Sequence, residues 1–311
     1  MRCFVLLYLL LFIISCSQSP EYYLKRGNSF FASGDYYRAI DIYNRAIISR
    51  NDYSDAYVSR AMAYEKIGDK MKAVDDYLRA ITYKSDHLAA LNNLASLYIE
   101  MGYYDKALPY IEKTLEINPS YRYGYYNRGV VNYYRGLLSQ AIEDFSKAIE
   151  LCDDRMPLAR YYRALSYYKL SMLKEAHSDL VSLMKRSDTN DVIYYTAAKV
   201  CVGLDPRLAL DYIDRAIKIK EDAIYYYLRA VINEKLSRMV DAINDINTAI
   251  KLSNFSKSSY LYYAADIYIK LSRFDNAKEY CDMALSVDKN SETEYKKRMK
   301  IMNTRKKGRN K

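Results

Sequence analysis

Residues 54–87 read SDAYVSRAMAYEKIGDKMKAVDDYLRAITYKSDH, and residues 88–121 read LAALNNLASLYIEMGYYDKALPYIEKTLEINPSY. Aligned end to end, the two segments share alanine at their eighth and twentieth residues and glycine at their fifteenth. On either side of that glycine, apolar residues recur at spacings of three and four, which is the pattern of an amphipathic helix. Each segment therefore predicts two helices joined by a tight glycine turn.

The same spacing continues through most of the chain. Counting from the same register, segments start near residues 20, 54, 88, 122, 157, 190, 223 and 258. Only 9 Gly and 5 Pro in 311 residues also favour helices with short connections. A period near 34 residues indicates units that bury their apolar faces only against their neighbours. Position 8 is always small (Gly27, Ala61, Ala95, Gly129, Ala164, Ala197, Ala230 and Ala265), and position 20 is always alanine (Ala39, Ala73, Ala107, Ala141, Ala176, Ala209, Ala242 and Ala277).

This pattern resembles the tetratricopeptide repeat, in which small residues at positions 8 and 20 let helix A and helix B approach closely. The resemblance covers residues 20–291 and implies an all-α fold, a right-handed superhelical solenoid of about eight helix-turn-helix repeats. Repeat six, with Gly203 and Pro206 near its turn, is predicted to be irregular. Residues 292–303 are predicted to form a capping helix, and residues 304–311 a disordered basic tail.

The start of the chain has the pattern of an export signal. A basic residue and an apolar run of about a dozen residues predict a signal peptide over residues 1–15, too short to span a bilayer as a helix. Ile13-Ile14-Ser15-Cys16 resembles a bacterial lipobox, which implies lipidation at Cys16, a tether over residues 16–19, and anchoring in the bacterial cell envelope. By a sorting rule of such lipoproteins, serine rather than aspartate after the lipidated cysteine, here Ser17, favours the outer membrane. The alternative is an ordinary signal peptide with a chance cysteine.

The net charge of +10 is concentrated at the other end of the chain. Residues 296–311 contain nine basic residues and no acidic residue, so the rest is nearly neutral. Such a tail suits an anionic partner. Nucleic acid is one such partner, but export would separate the tail from nucleic acid. An anionic lipid or a surface polymer is therefore the preferred partner of this tail.

Tyrosines mark the candidate binding surface. In this family, helix A residues at positions 2, 5, 9 and 12 line a concave groove that holds a peptide or a helix of a protein partner. Tyrosine is a good interface residue because it buries a large area and retains a hydroxyl. The alternative is that the rings pack between repeats. The predicted partner-binding residues are Tyr123, Tyr126, Tyr133, Tyr161, Tyr168, Tyr194, Tyr227 and Tyr262.

No pattern of catalytic, metal-binding or cofactor-binding residues is recognised. His87 and His177, the only histidines, have no nucleophile or ligand set beside them. The pairs Asp75-Asp76 and Asp153-Asp154 are expected on a solvated face or in turns. Cys201 falls at position 12, a groove position, without a nearby basic residue to activate it.

The sequence thus predicts a non-catalytic adaptor that binds a protein partner, needs no cofactor, and is lipid-anchored in the envelope. Lipoproteins of this architecture resemble pilus-assembly pilotins, outer-membrane assembly components and adaptors of peptidoglycan hydrolases. The residues do not choose among these three. The alternative functions are a binder of anionic polymer acting through the basic tail and an enzyme subunit with an unrecognised site.

Overall fold

A computed structural model describes residues 18–153, 155–186 and 190–309. Over these residues the chain forms seventeen α-helices, one 3-10 turn and no strand, which confirms the predicted all-α fold. The predicted signal peptide and the predicted lipidation site at Cys16 lie outside the described residues.

The helices alternate between A and B along the chain, and each A–B pair forms one repeat. Each A helix starts at, or one residue after, a segment start given by the sequence pattern. The A helices are α1 (Pro20–Ala32), α3 (Ser54–Lys66), α5 (Leu88–Glu100), α7 (Arg122–Tyr134), α9 (Pro157–Lys169), α11 (Asp191–Cys201), α13 (Ala223–Lys235) and α15 (Ser258–Lys270). The B helices are α2 (Tyr36–Ser49), α4 (Lys70–Tyr83), α6 (Tyr104–Ile117), α8 (Leu138–Glu150), α10 (Leu173–Met184), α12 (Pro206–Ile219), α14 (Met239–Leu252) and α16 (Phe274–Val287). The 3-10 turn Lys289–Ser291 leads into α17 (Glu292–Arg309).

The chain divides into two compact units, with the boundary after Ala159, inside α9. The first unit contains repeats one to four, and the second contains repeats five to eight with α17. Each unit has its own buried core, in which every alanine at positions 8 and 20 is fully buried.

A large residue at position 24 fills the space beside the small residue at position 8. In the first unit, Tyr43, Tyr77 and Phe145 are almost completely buried at this position. A Cβ atom added to Gly129 would lie 2.7 Å from Cε1 of Phe145, closer than carbon atoms can approach. Glycine at position 8 of repeat four therefore makes room for the ring.

Position 15 closes helix A in a left-handed conformation. Gly34, Gly68, Gly102 and Gly136 have φ angles of 78–82°, as the predicted glycine turn requires. In the second unit, serine takes the same conformation at position 15, with φ angles of 59–61° at Ser171, Ser237 and Ser272. Repeat six instead starts α12 with a cap, because the carboxylate of Asp205 accepts hydrogen bonds from the amides of Arg207 and Leu208.

In four repeats, a buried ion pair joins helix A to helix B. It forms between arginine at position 7 and aspartate at position 23. In repeat two, Arg60 donates to both carboxylate oxygens of Asp76, at 2.7 and 2.6 Å. Asp76 is only 3% exposed, so the expectation that it lies on a solvated face is wrong. Its backbone position faces helix A, and only a cation could offset the cost of burying it there. The equivalent pairs are Arg128–Asp144, Arg163–Asp179 and Arg229–Asp245.

The arginine of such a pair also reaches the preceding repeat. Arg229 donates to Asp245 at 2.6 Å and to Asp214, on helix B of repeat six, at 2.8 Å. Burial opposes the charge of Arg229, but these two carboxylates raise its pKa above the usual value, so the guanidinium stays protonated. Asn233 completes the cluster by donating to Asp245 at 2.8 Å. One side chain thus connects three helices.

The last helix is longer than the sequence suggests. The sequence predicts a capping helix that ends at residue 303 and is followed by disorder, whereas α17 continues to Arg309. Contacts with repeat eight explain the difference: Met302 is buried, Arg305 donates to the carbonyl of Ile269 at 3.1 Å, and Lys306 lies 3.4 Å from Asp275. The partners of Arg305 and Lys306 are more than thirty residues away in sequence.

We predict that Asp245→Ala lowers the free energy of unfolding by about 2–4 kcal/mol, because Arg229 and Asn233 lose their shared acceptor in a largely desolvated place. Urea denaturation followed by circular dichroism measures the change. The exposed Asp241, in the first turn of the same helix, provides the control, and Asp241→Ala should change the free energy by less than about 0.5 kcal/mol. Equal effects of the two substitutions would show that the ion pair has no special role.

Candidate functional site

The predicted tyrosines of the first unit all lie on α7. Tyr123 is 42% exposed, and the guanidinium of Arg122 stands 4.7 Å from its ring centre. Tyr126 and Tyr133 are half-buried, and the ring of Tyr126 lies 6.1 Å from that of Phe145. Tyr126 therefore contributes to the core as well as to the surface.

In the second unit, the position-5 tyrosines of repeats five and six contact neighbouring side chains. Tyr161 and Tyr194 are half-buried. The hydroxyl of Tyr161 lies 3.2 Å from that of Thr196, on helix A of the next repeat. The guanidinium of Arg215 stands 5.9 Å from the ring centre of Tyr194. Both rings are thus held in place while part of each remains accessible.

Tyr227 is part of a cluster of three rings on α13 and α15. It stacks on Tyr260, with ring centres 4.8 Å apart, and meets Tyr263 edge-on at 5.2 Å. Tyr263 donates a 2.5 Å hydrogen bond to Glu234, which also pairs with Lys270. Burial and the carboxylate of Glu234 raise the pKa of Tyr263, so its hydroxyl stays protonated and acts as a donor.

Tyr262 differs from the other predicted residues. It is 5% exposed, and its hydroxyl lies 2.8 Å from that of Ser291, in the 3-10 turn. The guanidinium of Arg298, on α17, covers its ring at 4.5 Å. The capping segment thus encloses Tyr262, which leaves this ring a packing role.

Sequence reasoning overlooked a second set of rings on the same helices, at positions 3 and 6. Tyr195, at position 6, lies 5.0 Å from Tyr225, and burial raises the pKa of Tyr195 to about 12. The ammonium of Lys199 lies over two rings, 5.4 Å from that of Tyr168 and 5.5 Å from that of Tyr195. The recurrence of tyrosine at positions 3 and 6 was the signal that could have identified these residues.

Comparisons with known proteins agree with the repeat pattern. A tetratricopeptide repeat family model matches residues 88–121 and 258–291, and a second tetratricopeptide repeat model matches residues 24–89. The chain carries tetratricopeptide repeats. The remaining segments follow the same helix alternation, although these two models do not cover them.

Curated relatives share the repeats over part of their length. A TPR repeat-containing protein of Methanocaldococcus jannaschii is 26% identical over 185 residues, which are 56% of this chain and 32% of that protein. The human DnaJ homolog subfamily C member 7 is 23% identical over 191 residues, which are 61% of this chain and 35% of that protein. The chain thus spans about a third of the length of these relatives.

Solved structures show the same fold. A tetratricopeptide repeat protein from Parabacteroides merdae superimposes with a TM-score of 0.58 at 22% identity, over 76% of this chain and 93% of that one. The Pseudomonas aeruginosa pilF structure gives 0.60 at 18% identity, over 67% and 94% of the two chains. PilW, described as a type IV pilus biogenesis factor, gives 0.58 at 18% identity, over 64% and 92%. These similarities support the solenoid fold.

Both histidines, the residues best suited to proton transfer, contact a neighbouring side chain. His87 Nε2 lies 2.9 Å from Asp55, and His177 Nε2 lies 3.1 Å from the hydroxyl of Tyr212. Within the described ranges, no group of three or more His, Cys, Asp or Glu residues could hold a metal ion. Across the same ranges, no helix has the length and apolar character needed to cross a bilayer.

Cys201 does not face a groove, contrary to the expectation from its position. It is fully buried at the last residue of α11, in a core cluster that also contains Leu180 of α10 and Ile213 of α12. Burial raises the pKa of Cys201 to about 11, and the same holds for the buried Cys281. Neither thiol is placed to act as a nucleophile.

We predict that Cys201 and Cys281 react with iodoacetamide at pH 8 about a hundredfold more slowly in the folded protein than after unfolding in urea. Their raised pKa lowers the thiolate fraction by about two orders of magnitude, and burial limits access further. Because burial raises the pKa of both thiols to about 11, the folded-state rate should keep rising with pH up to about pH 11, whereas the rate of the unfolded protein levels off near the ordinary thiol pKa. Mass spectrometry of peptides resolves each cysteine. Rapid labelling of Cys201 in the folded state would mean that the site is open.

Proposed function

We propose that this chain is a non-catalytic scaffold that binds a protein partner through tyrosines of its A helices. In the second unit, the proposed contact region, here called the tyrosine surface, consists of Tyr161, Tyr168, Tyr194, Tyr195, Tyr227 and Tyr260. The observation that carries the proposal is that these half-buried rings are held in place by neighbouring groups. Rings that are already ordered lose little entropy when a partner covers them.

The chemistry of the tyrosine surface favours a peptide or helix with apolar side chains. Each ring offers an apolar face and a hydroxyl, and tyrosine is enriched among residues that dominate binding energy. Lys199, between Tyr168 and Tyr195, adds one positive charge at the edge of the surface. A partner with an acidic residue beside its apolar anchors would therefore fit best. Tyr123 and Tyr126 are the corresponding residues proposed for the first unit.

We also propose that Cys16 carries the lipid that holds the scaffold in the bacterial envelope, with the outer membrane favoured. The support is the lipobox-like Ile13-Ile14-Ser15-Cys16 after a short apolar run. The similarity to a pilus biogenesis factor makes pilus assembly one setting for such a scaffold. Each buried CH₂ of an acyl chain contributes about 0.8 kcal/mol, so two or three chains would make release negligible.

To test the tyrosine surface, Tyr161, Tyr194 and Tyr227 are changed together to alanine, and in a matched variant to phenylalanine. We expect the alanine variant to lose a partner that the wild type captures from detergent-solubilised membranes, because truncating a central anchor costs about 2 kcal/mol or more. The phenylalanine variant keeps the rings and should retain most of the capture. Quantitative mass spectrometry of the captured proteins gives the comparison.

Folding has to be measured on the same samples, because these rings also pack between repeats. If the alanine variant is unfolded by circular dichroism, the single change Tyr168→Ala, at a half-buried ring beside Lys199, replaces it. Capture that is unchanged in folded alanine variants would rule out the tyrosine surface as the binding site.

We predict that Cys16→Ala moves the protein from the membrane pellet to the soluble fraction after expression in a bacterium that lipidates exported proteins. Fractionation followed by immunoblotting measures the distribution. Ser15→Ala keeps a small residue before the cysteine and serves as the control that stays in the pellet. Retention of Cys16→Ala in the pellet would contradict the lipid anchor.

A further inference from the structure

Helix α17 presents a face of lysines to solvent. Lys296, Lys297 and Lys300 are exposed along it, with Thr304 one turn beyond Lys300. Lys296 makes one exposed pair with Glu292, at 2.8 Å, whereas Lys297 and Lys300 have no ion-pair partner among the described residues. We call the side chains of Lys296, Lys297, Lys300, Asn303 and Thr304 the basic face.

Arg298 and Arg305, on the same helix, point the other way. Arg298 binds both oxygens of Asp266 on α15, at 2.8 and 2.7 Å, and Arg305 donates to the carbonyl of Ile269. Met302 is buried against repeat eight. Arg298 and Arg305, whose planar forks suit fixed pairs, thus hold the helix against repeat eight, while Lys296, Lys297 and Lys300, which act as point charges, remain exposed. The basic face is consequently held in a fixed orientation.

A shallow depression of about 460 Å³ lies on this side of the helix. The depression is lined by two lysines, Lys296 and Lys300, by the polar Asn303 and Thr304, and by Tyr295 and Met299. Tyr295 is held by a hydrogen bond of 2.9 Å to Asp282. A lining that combines two cationic side chains with a ring and a methionine matches a phosphate group attached to a hydrocarbon chain.

We infer that the basic face binds the surface of a membrane rich in anionic phospholipids. Lysines without fixed partners favour a surface with many spread negative charges over one shaped protein site. The partly apolar lining, Tyr295 and Met299, and the exposed Ile301, next to Lys300 in the chain, favour a lipid headgroup region over a nucleic acid. This attachment is separate from the tyrosine surface and from Cys16, so it would orient the end of the second unit on the membrane.

The test compares full-length variants in a Cys16→Ala background, so that an acyl chain adds nothing to the difference. Lys296, Lys297 and Lys300 are changed together to glutamine. Sedimentation with vesicles of phosphatidylcholine containing about 30% phosphatidylglycerol, at low salt, measures binding. We expect the parent to bind these vesicles. The triple variant should bind them at least about tenfold more weakly. The difference should shrink as salt is raised.

The matched control changes the same number of charges elsewhere in the second unit. Lys174, Lys218 and Lys251 are exposed on B helices, and their change to glutamine should leave vesicle binding within about twofold of the parent. Circular dichroism checks that each variant is folded, and the single change Lys300→Gln provides a milder variant if the triple variant is not folded.

An equal loss of vesicle binding in the control variant would overturn the inference, and so would equal binding of the parent to pure phosphatidylcholine. Tighter binding to duplex DNA than to the anionic vesicles would assign the basic face to nucleic acid and overturn it as well.

Discussion

The close contact between helix A and helix B of each repeat is the constraint on which the rest of the structure depends. Positions 8 and 20 carry glycine or alanine in all eight repeats, and the alanines there are completely buried. Because the residue at position 8 is small, a large residue at position 24 fits beside it, as Phe145 does beside Gly129. A repeat built this way has little core of its own and must bury its remaining apolar surface against its neighbours.

Positions 7 and 23 of a repeat carry one of two combinations of residues. Where position 23 is aspartate, position 7 is arginine, and two of these arginines also reach the preceding helix B, Arg60 through Asn44 and Arg229 through Asp214. In repeats three, six and eight, position 23 is tyrosine and position 7 is a smaller uncharged residue. Tyr280, for example, donates to Asn247 of the preceding repeat at 2.7 Å. A buried carboxylate requires a cation, whereas a phenol needs only a neutral acceptor, which explains why the two positions change together.

The A-helix tyrosines combine packing and exposure within single side chains. The hydroxyl of Tyr161 reaches the next repeat while part of its ring stays accessible, whereas Tyr262 is enclosed by the 3-10 turn and α17. The same residue at the same position can thus be a surface group or a core group, depending on the helix that packs over it. A surface formed in this way is rigid, because the groups that contact its rings also hold the repeats together.

The sequence by itself determined the helix pairs, their period and the glycine turns, since these depend on local spacing and on residue size at contacts that recur every 34 residues. It also placed the tyrosines on the A helices. Tertiary structure decided three further features: that Asp76 is buried on Arg60, that Cys201 lies in the core, and that α17 continues to Arg309. Each of these outcomes depends on partners brought together by the stacking of helices, between 16 and 36 residues apart for the hydrogen bonds of Asp76 and Arg305. Local periodicity carries the information for a helix face, but the partner that meets that face is set only when the repeats pack.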